Sequence, residues 1–154
     1  MLNTNVYNQA VVQWTVDPEI TTTNVHWDLN GDGALEVAPY NNLEITAIRS
    51  NCFNGAFDLN VFLVKTCISN TFVGFTQTPT PTDPQERSIF ILTDAASAPL
   101  TATKVAQAIA HEIGHAWYRM RHDETDTSNL MYPDLSAAGT SLTEAQWQKI
   151  NEVP

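Results

Sequence analysis

His111-Glu112-Ile113-Gly114-His115 places two imidazoles four residues apart, with a carboxylate beside the first. On a helix, residues four apart project from one face about a turn apart, so both rings can reach a single metal ion. A catalytic zinc centre needs three protein ligands and one open position for water. His122 is the leading third ligand, since three of the chain's 4 histidines fall within twelve residues and His26 is remote. If the helix simply continued, His122 would lie about 10 Å further along its axis than His115, too far to share an ion whose Zn–N bonds are about 2 Å. The helix must therefore end near Trp117 to Arg119, and the chain must turn back. Asp123 and Asp126 are the alternative third ligands, and Glu144 would serve if that ligand came from a later helix. The softness of imidazole, matched to zinc, favours His122.

A second motif is Asp28-Leu29-Asn30-Gly31-Asp32-Gly33-Ala34-Leu35-Glu36. It carries oxygen ligands at the first, third and fifth positions of a calcium loop, with glycine at the sixth. Position twelve is Pro39 instead of the bidentate Glu, so Asp28, Asn30, Asp32 and Glu36 would have to hold a structural Ca2+. The alternative is a metal-free turn rich in Gly and Asp.

The histidine segment reads His111-Glu112-Ile113-Gly114-His115-Ala116-Trp117-Tyr118-Arg119-Met120-Arg121-His122, followed by Ser128-Asn129-Leu130-Met131-Tyr132-Pro133. It resembles the metzincin zinc peptidases, in particular the matrixin-like branch, whose signature is His-Glu-x-x-His-x-x-Gly-x-x-His and then a Met-turn. Two departures fall on the turn: Tyr118 stands where the family has glycine, and one additional residue precedes the third histidine. Either Tyr118 takes the left-handed conformation at a cost of roughly 1–2 kcal/mol, or the extra residue permits a different turn.

The resemblance implies a zinc endopeptidase, secreted and acting on peptide or protein substrates. Glu112 would take a proton from water and hand it to the leaving amine. Met131 would form a hydrophobic floor under the zinc, and Tyr132 and Pro133 would shape the pocket beside the scissile bond. Metzincins bind substrate as an added strand on an antiparallel sheet edge, a mode that uses backbone groups for affinity. Phe72 to Thr76 is the candidate edge, with Gly74 and Phe75 as substrate contacts. The implied fold class is α+β: a twisted mixed sheet, a backing helix, a long zinc helix and a C-terminal helix after the Met-turn. The motifs cover Ala102 to Ile150, while the first hundred residues are compatible by strand pattern. Two other readings share the histidines: a catalytically idle, zinc-containing peptide-binding module, and a structural zinc domain with Asp123 or Asp126 as fourth ligand.

The elements that must position these residues follow from periodicity. Val12 to Val16 and Val25 to Leu29 alternate like strands. Asn41 and Glu44 have capping-box spacing for a short helix through Ile48, while Leu43, Ile45 and Ala47 also alternate like a strand; the helix is favoured. Leu59 to Val64 has no polar face after Asn60, which predicts a central strand covered on both sides. Thr71 to Thr76 reads as an edge strand, residues 78–84 as a proline-rich loop, and Ser88 to Leu92 as a buried strand. A helix begins at Thr101 or Thr103 and runs to about Trp117; another spans Leu142 to Asn151, with Ser141 as cap, Glu144 at the third position, and Leu142, Ala145 and Ile150 to dock it.

At 154 residues the chain fits one domain, 1–154, with residues 1–117 expected as an upper part and 118–154 as a lower part. Its net charge of −10, from 7 Lys and Arg against 17 Asp and Glu, disfavours nucleic acid and anionic membrane as partners. No apolar run reaches membrane-span length and Met1 to Asn5 lacks a signal-peptide pattern, which reads as a mature or excised piece. Nothing signals oligomerisation, so a monomer is expected. Cys52 and Cys67 could close a disulfide or remain buried thiols.

Overall fold

Ser88–Leu92, here β3, is buried along its whole length and lies between the two other strands described in its sheet. The computed structural model describes residues 25–37, 43–52, 59–67, 73–76, 88–95, 98–134 and 139–152. Asn60–Val64, β1, pairs parallel to β3 from Asn60↔Ser88 to Val64↔Leu92. Gly74–Thr76, β2, pairs antiparallel on the other side, with Gly74↔Ile91 and Thr76↔Ile89. The sheet is therefore mixed, as expected, and among the described strands β2 stands at its antiparallel end. The expected strand Val12 to Val16, Asn41, the loop at 78–84 and Phe72 lie outside the described residues.

Strand alternation divides the core in two, because successive side chains point to opposite faces. Ile89 and Ile91 join Ala108, Ala110 and Ile113 of the helix α2 (Ala102–Ala116), together with Met120, Leu130 and Met131. Phe90 and Leu92 face the other way, against Ile45 and Ile48 of α1 (Leu43–Cys52). There the Phe75 ring stacks on Phe90 at 4.9 Å and 1°.

Several expectations need correction. Among the described strands β1 pairs with β3 alone, and it is not covered on both sides: Val61 and Leu63 are 40% and 56% exposed. Those two share the face of Ile89 and Ile91, but α2 lies over β2 and β3 and leaves that part of β1 open. Val25 to Leu29 is irregular, since the Trp27 N–H turns back to the Val25 carbonyl at 3.0 Å and the Leu29 N–H is taken by Glu44. Glu44 sits at 2% exposure and accepts from Leu29 N–H at 3.0 Å and Glu36 N–H at 2.9 Å. It fastens the Asp28 to Glu36 loop to α1, which itself runs past Ile48 to Cys52. No disulfide joins Cys52 and Cys67, and both side chains pack in the α1-side core.

The helix carrying the histidines starts where its cap dictates: Thr101 Oγ1 accepts from Lys104 N–H at 3.2 Å, deciding between the two threonines. The last helix, α3, is Glu144–Glu152, two residues later than expected at its start. Thr143 caps it in a reciprocal box, with Gln146 N–H to Thr143 Oγ1 at 3.3 Å and Thr143 N–H to Gln146 Oε1 at 2.9 Å. Ser141 pairs instead with the segment at 128–130. Ile150 is buried and Leu142 packs against the core, whereas Ala145 is exposed. Between α2 and β3 lies the small hairpin of β4 (Asp94–Ala95) and β5 (Ala98–Pro99). Among the described residues no helix is long and apolar enough to cross a membrane.

Candidate metal centre

Three imidazoles converge. His111 and His115 lie on α2, and His122 returns to them on the strap that follows; His115 Nε2 is 3.1 Å from His111 Nε2 and 3.1 Å from His122 Nε2. Among the described residues this is the one group of three or more His, Cys, Asp or Glu whose ligand atoms gather within 4.8 Å. The backs of the first two rings are fixed: His111 Nδ1 lies 2.8 Å from the Leu130 carbonyl and His115 Nδ1 lies 2.7 Å from the Met120 carbonyl. A carbonyl only accepts, so each Nδ1 carries the proton and each Nε2 presents a lone pair to the common point. Two lone pairs at 3.1 Å do not bond each other. They suit a shared cation, and nitrogens at about 2.0–2.1 Å from a tetrahedral zinc lie about 3.3–3.4 Å apart.

The electrostatics agree. Burial lowers the His111 pKa to about 4, against the opposing Leu130 carbonyl and with help from His115 and His122. Burial likewise lowers that of His115. At neutral pH both rings are uncharged, as ligands must be. Burial pushes Glu112 up to about 8 in the metal-free site, and a dication nearby would reverse that preference.

Of the two turns the sequence leaves open, the chain takes the second, a different turn permitted by the extra residue. Arg119, not Tyr118, takes the left-handed conformation, at φ 52°. Tyr118 is 5% exposed and belongs to the core around Met120 and Met131. Arg119 N–H bonds the His115 carbonyl at 3.2 Å and Met120 N–H bonds the Gly114 carbonyl at 2.9 Å. In the common helix stop the outer bond spans five positions. Here it runs from Gly114 to Met120, one position wider, which is how the additional residue is absorbed. Asp123 N–H then bonds the Met131 carbonyl at 3.0 Å, holding the strap that carries His122 beside the turn at 129–132.

The alternative third ligands are committed elsewhere. Asp123 Oδ1 accepts from Thr125 N–H and Oγ1–H at 3.0 and 2.6 Å, and Asp126 Oδ1 accepts from Ser128 N–H and Oγ–H at 2.8 and 2.7 Å. Glu144 is an exposed residue at the start of α3, reached by the Gln148 side chain. None of the three joins the converging group.

Gly114 and Gly74 explain how the neighbours fit. A methyl at Gly114 would come within 2.5 Å of Met131 Sδ, so the helix can lie on the fully buried Met131 only because residue 114 has no side chain. A methyl at Gly74 would come within 3.0 Å of Glu112 Cγ and 3.2 Å of its Oε1, so the carboxylate lies against the edge strand β2. Of the other expected substrate contacts, Phe75 turns its ring into the opposite core and offers only backbone. Tyr132 is half-buried with its N–H on the Asn129 carbonyl at 3.2 Å, and Pro133 is exposed.

The Asp28 to Glu36 loop shows no comparable convergence. Asp28 accepts from the N–H groups of Gly31 and Gly33, Asn30 from Asp32 N–H and Asp32 from Ala34 N–H, between 2.7 and 3.0 Å. The Asn30 amide donates to Asp32 and Glu36 at 3.1 and 3.2 Å. The carboxylates are organised by the loop's own donors.

Sequence reasoning missed the carbonyls of Leu130 and Met120, which no side-chain pattern encodes, and the buried Asn129. A glycine inside a helix, Gly114, is a signal that could have pointed to close packing there. No protein-family model, curated protein or solved structure matches the chain. The geometry alone defines it as a small α+β protein with a three-histidine group able to hold a metal ion.

Proposed function

We propose that the protein is a zinc-dependent endopeptidase. The observation that carries this reading is the convergence of His111, His115 and His122 next to a buried Glu112 that lies against an antiparallel sheet edge. His111, His115 and His122 would hold the zinc. When bound, it supplies Lewis-acid polarisation of a carbonyl and acidification of a water molecule. The chain's own residues do the rest. Glu112 accepts a proton on a carboxylate oxygen and returns it to the departing amine, a role its buried position suits once a cation favours the ionised form. β2, the end strand on that side among the described ones, would align an extended chain by backbone hydrogen bonds. Secretion and a monomeric state remain expectations, the first resting on the metzincin resemblance alone. A purely structural zinc would need a fourth protein ligand, and Asp123 and Asp126 are bound in their own turns.

The test is zinc content per chain together with cleavage of casein, for the wild type and Glu112→Gln. One zinc, chelator-sensitive cleavage, and a variant that keeps zinc while losing about 100- to 10,000-fold in rate are expected. Equal rates for the two proteins would sink the base role, and zinc without any cleavage would favour the idle binding module.

A further inference from the structure

We infer that Gln146, on α3, is a positioning residue for the metal centre, acting through Asn129 on the orientation of His111. The inference rests on the proposed metal-binding role of the three histidines. Gln146 is half-buried, and its Oε1 accepts twice: from Thr143 N–H at 2.9 Å and from Asn129 Nδ2–H at 2.9 Å. The first bond identifies that atom as the oxygen, because a backbone N–H cannot bond the amide nitrogen of glutamine. The second then fixes the Asn129 amide, which must turn its NH2 to Gln146 and its Oδ1 the other way. Asn129 is 1% exposed, and its Oδ1 accepts from Met131 N–H at 2.7 Å.

That bond closes a tight turn around Leu130, the residue between them. Leu130 N–H is held by the Ser141 carbonyl at 2.8 Å, and the Leu130 carbonyl takes the His111 Nδ1 proton at 2.8 Å. A continuous path thus runs from the cap of α3 to the first metal ligand. Without Gln146, the buried Asn129 Nδ2 loses its acceptor, so the side chain keeps its bond from Met131 N–H only at the cost of an unpaired buried amide, and the turn that aims the Leu130 carbonyl loosens. Outer partners of ligating histidines matter because they fix tautomer and ring orientation, and their loss costs about 10- to 100-fold in metal affinity. α3 is therefore part of the centre's support and more than a packing element.

The experiment measures zinc affinity by competition with a chromophoric chelator, alongside the thermal midpoint of each metal-free protein. Gln146→Ala should bind zinc about tenfold more weakly. Gln146→Glu retains an acceptor for both donors and should restore affinity. Thr143→Ala removes the side-chain half of the same cap while leaving the Thr143 N–H and Gln146 in place, so it should lower the midpoint and leave affinity alone. Gln146→Ala with wild-type affinity, or a Thr143→Ala protein weakened as much as Gln146→Ala, overturns the inference in favour of a simple cap. A wild type that binds no zinc overturns the metal reading itself, and the two failures are distinct.

Discussion

Two segments of this chain carry metal-binding motifs, and the structure treats them differently. In His111 to His122 the outward nitrogens converge while the inner ones are held by the Leu130 and Met120 carbonyls. In Asp28 to Glu36 the oxygens are turned inward onto the loop's own N–H groups, and Glu44 anchors the loop from below. The lesson concerns donors. An imidazole has a second nitrogen that the protein can fasten without consuming the first, so orientation and ligand capacity are separate. A carboxylate in a tight turn uses its acceptors to shape the backbone, and those same acceptors would have to face a cation.

The sharpest way to break that comparison is to remove one member of each segment. His115→Ala should reduce zinc affinity by more than about a hundredfold, since even outer partners of a ligand account for ten to a hundred. Asp28→Ala combined with Asp32→Ala should leave zinc affinity unchanged and lower stability instead, because those carboxylates organise four backbone and side-chain donors of the loop. Chelator competition and thermal melting read the two effects. Zinc binding that survives His115→Ala, or falls with the loop variant, would erase the distinction.

The metal-free protein offers a second test through pH. His111 is held down to about 4 from 6.5 and His115 is lowered too, so below pH 6.5 the unfolded chain binds more protons and stability falls as pH falls. Glu112 is held up to about 8 from 4.5, so between those values the folded chain binds the extra proton and stability falls as pH rises. Just below 6.5 His111 and His115 together outweigh Glu112, and further down His111 and Glu112 offset each other; from 6.5 to 8 Glu112 acts alone. Metal-free stability should therefore peak near pH 6.5 and decline above it by up to about 1.4 kcal/mol per pH unit. Zinc needs neutral rings and favours the Glu112 carboxylate, so saturating zinc should shift the maximum to higher pH. Urea midpoints from pH 5 to 8.5, with chelator and with zinc, measure both curves. A metal-free protein still gaining stability from pH 6.5 to 8 would refute the assignment for Glu112.

Much of the centre was legible because side chains with few alternatives carried it. Helical spacing placed His111 and His115 together, and the need to close a three-ligand site required the chain to turn back before His122. Ser88 to Leu92 and the capped α2 followed from hydrophobic pattern and Thr101. What stayed hidden depended on backbone atoms or on partners distant in sequence. Glu44 had capping-box spacing, yet its carboxylate reaches fifteen residues back to Leu29. Val61 to Val64 is apolar throughout, but coverage of β1 is set by where α2 crosses the sheet, and that is a tertiary fact. The α3 start moved because Thr143 and Gln146 make a better box than Ser141 and Glu144, whose first member is engaged with Ser128 and Leu130.

The smallest expected effect compares the left-handed residues of the two segments. The acidic loop uses Gly31 and Gly33 at φ 78° and 77°, where glycine is unstrained. The histidine turn uses Arg119 at φ 52°, a conformation that costs an L-residue roughly 1–2 kcal/mol. Arg119→Gly relieves that strain and adds about 0.5–1 kcal/mol of unfolded-chain entropy, so a net gain of about 0.5–1 kcal/mol is expected. Gly33→Ala should lose about 1 kcal/mol through φ alone, since a methyl there would meet no atom within 4 Å. Arg119 contributes only backbone to the turn's bonds, including its carbonyl to Lys149 Nζ at 3.3 Å, so Arg119→Gly should also keep its zinc affinity. Paired denaturation and chelator titrations decide the matter. A destabilised Arg119→Gly protein would mean that the widened helix stop, and with it the placement of Met120 behind His115, depends on the arginine side chain.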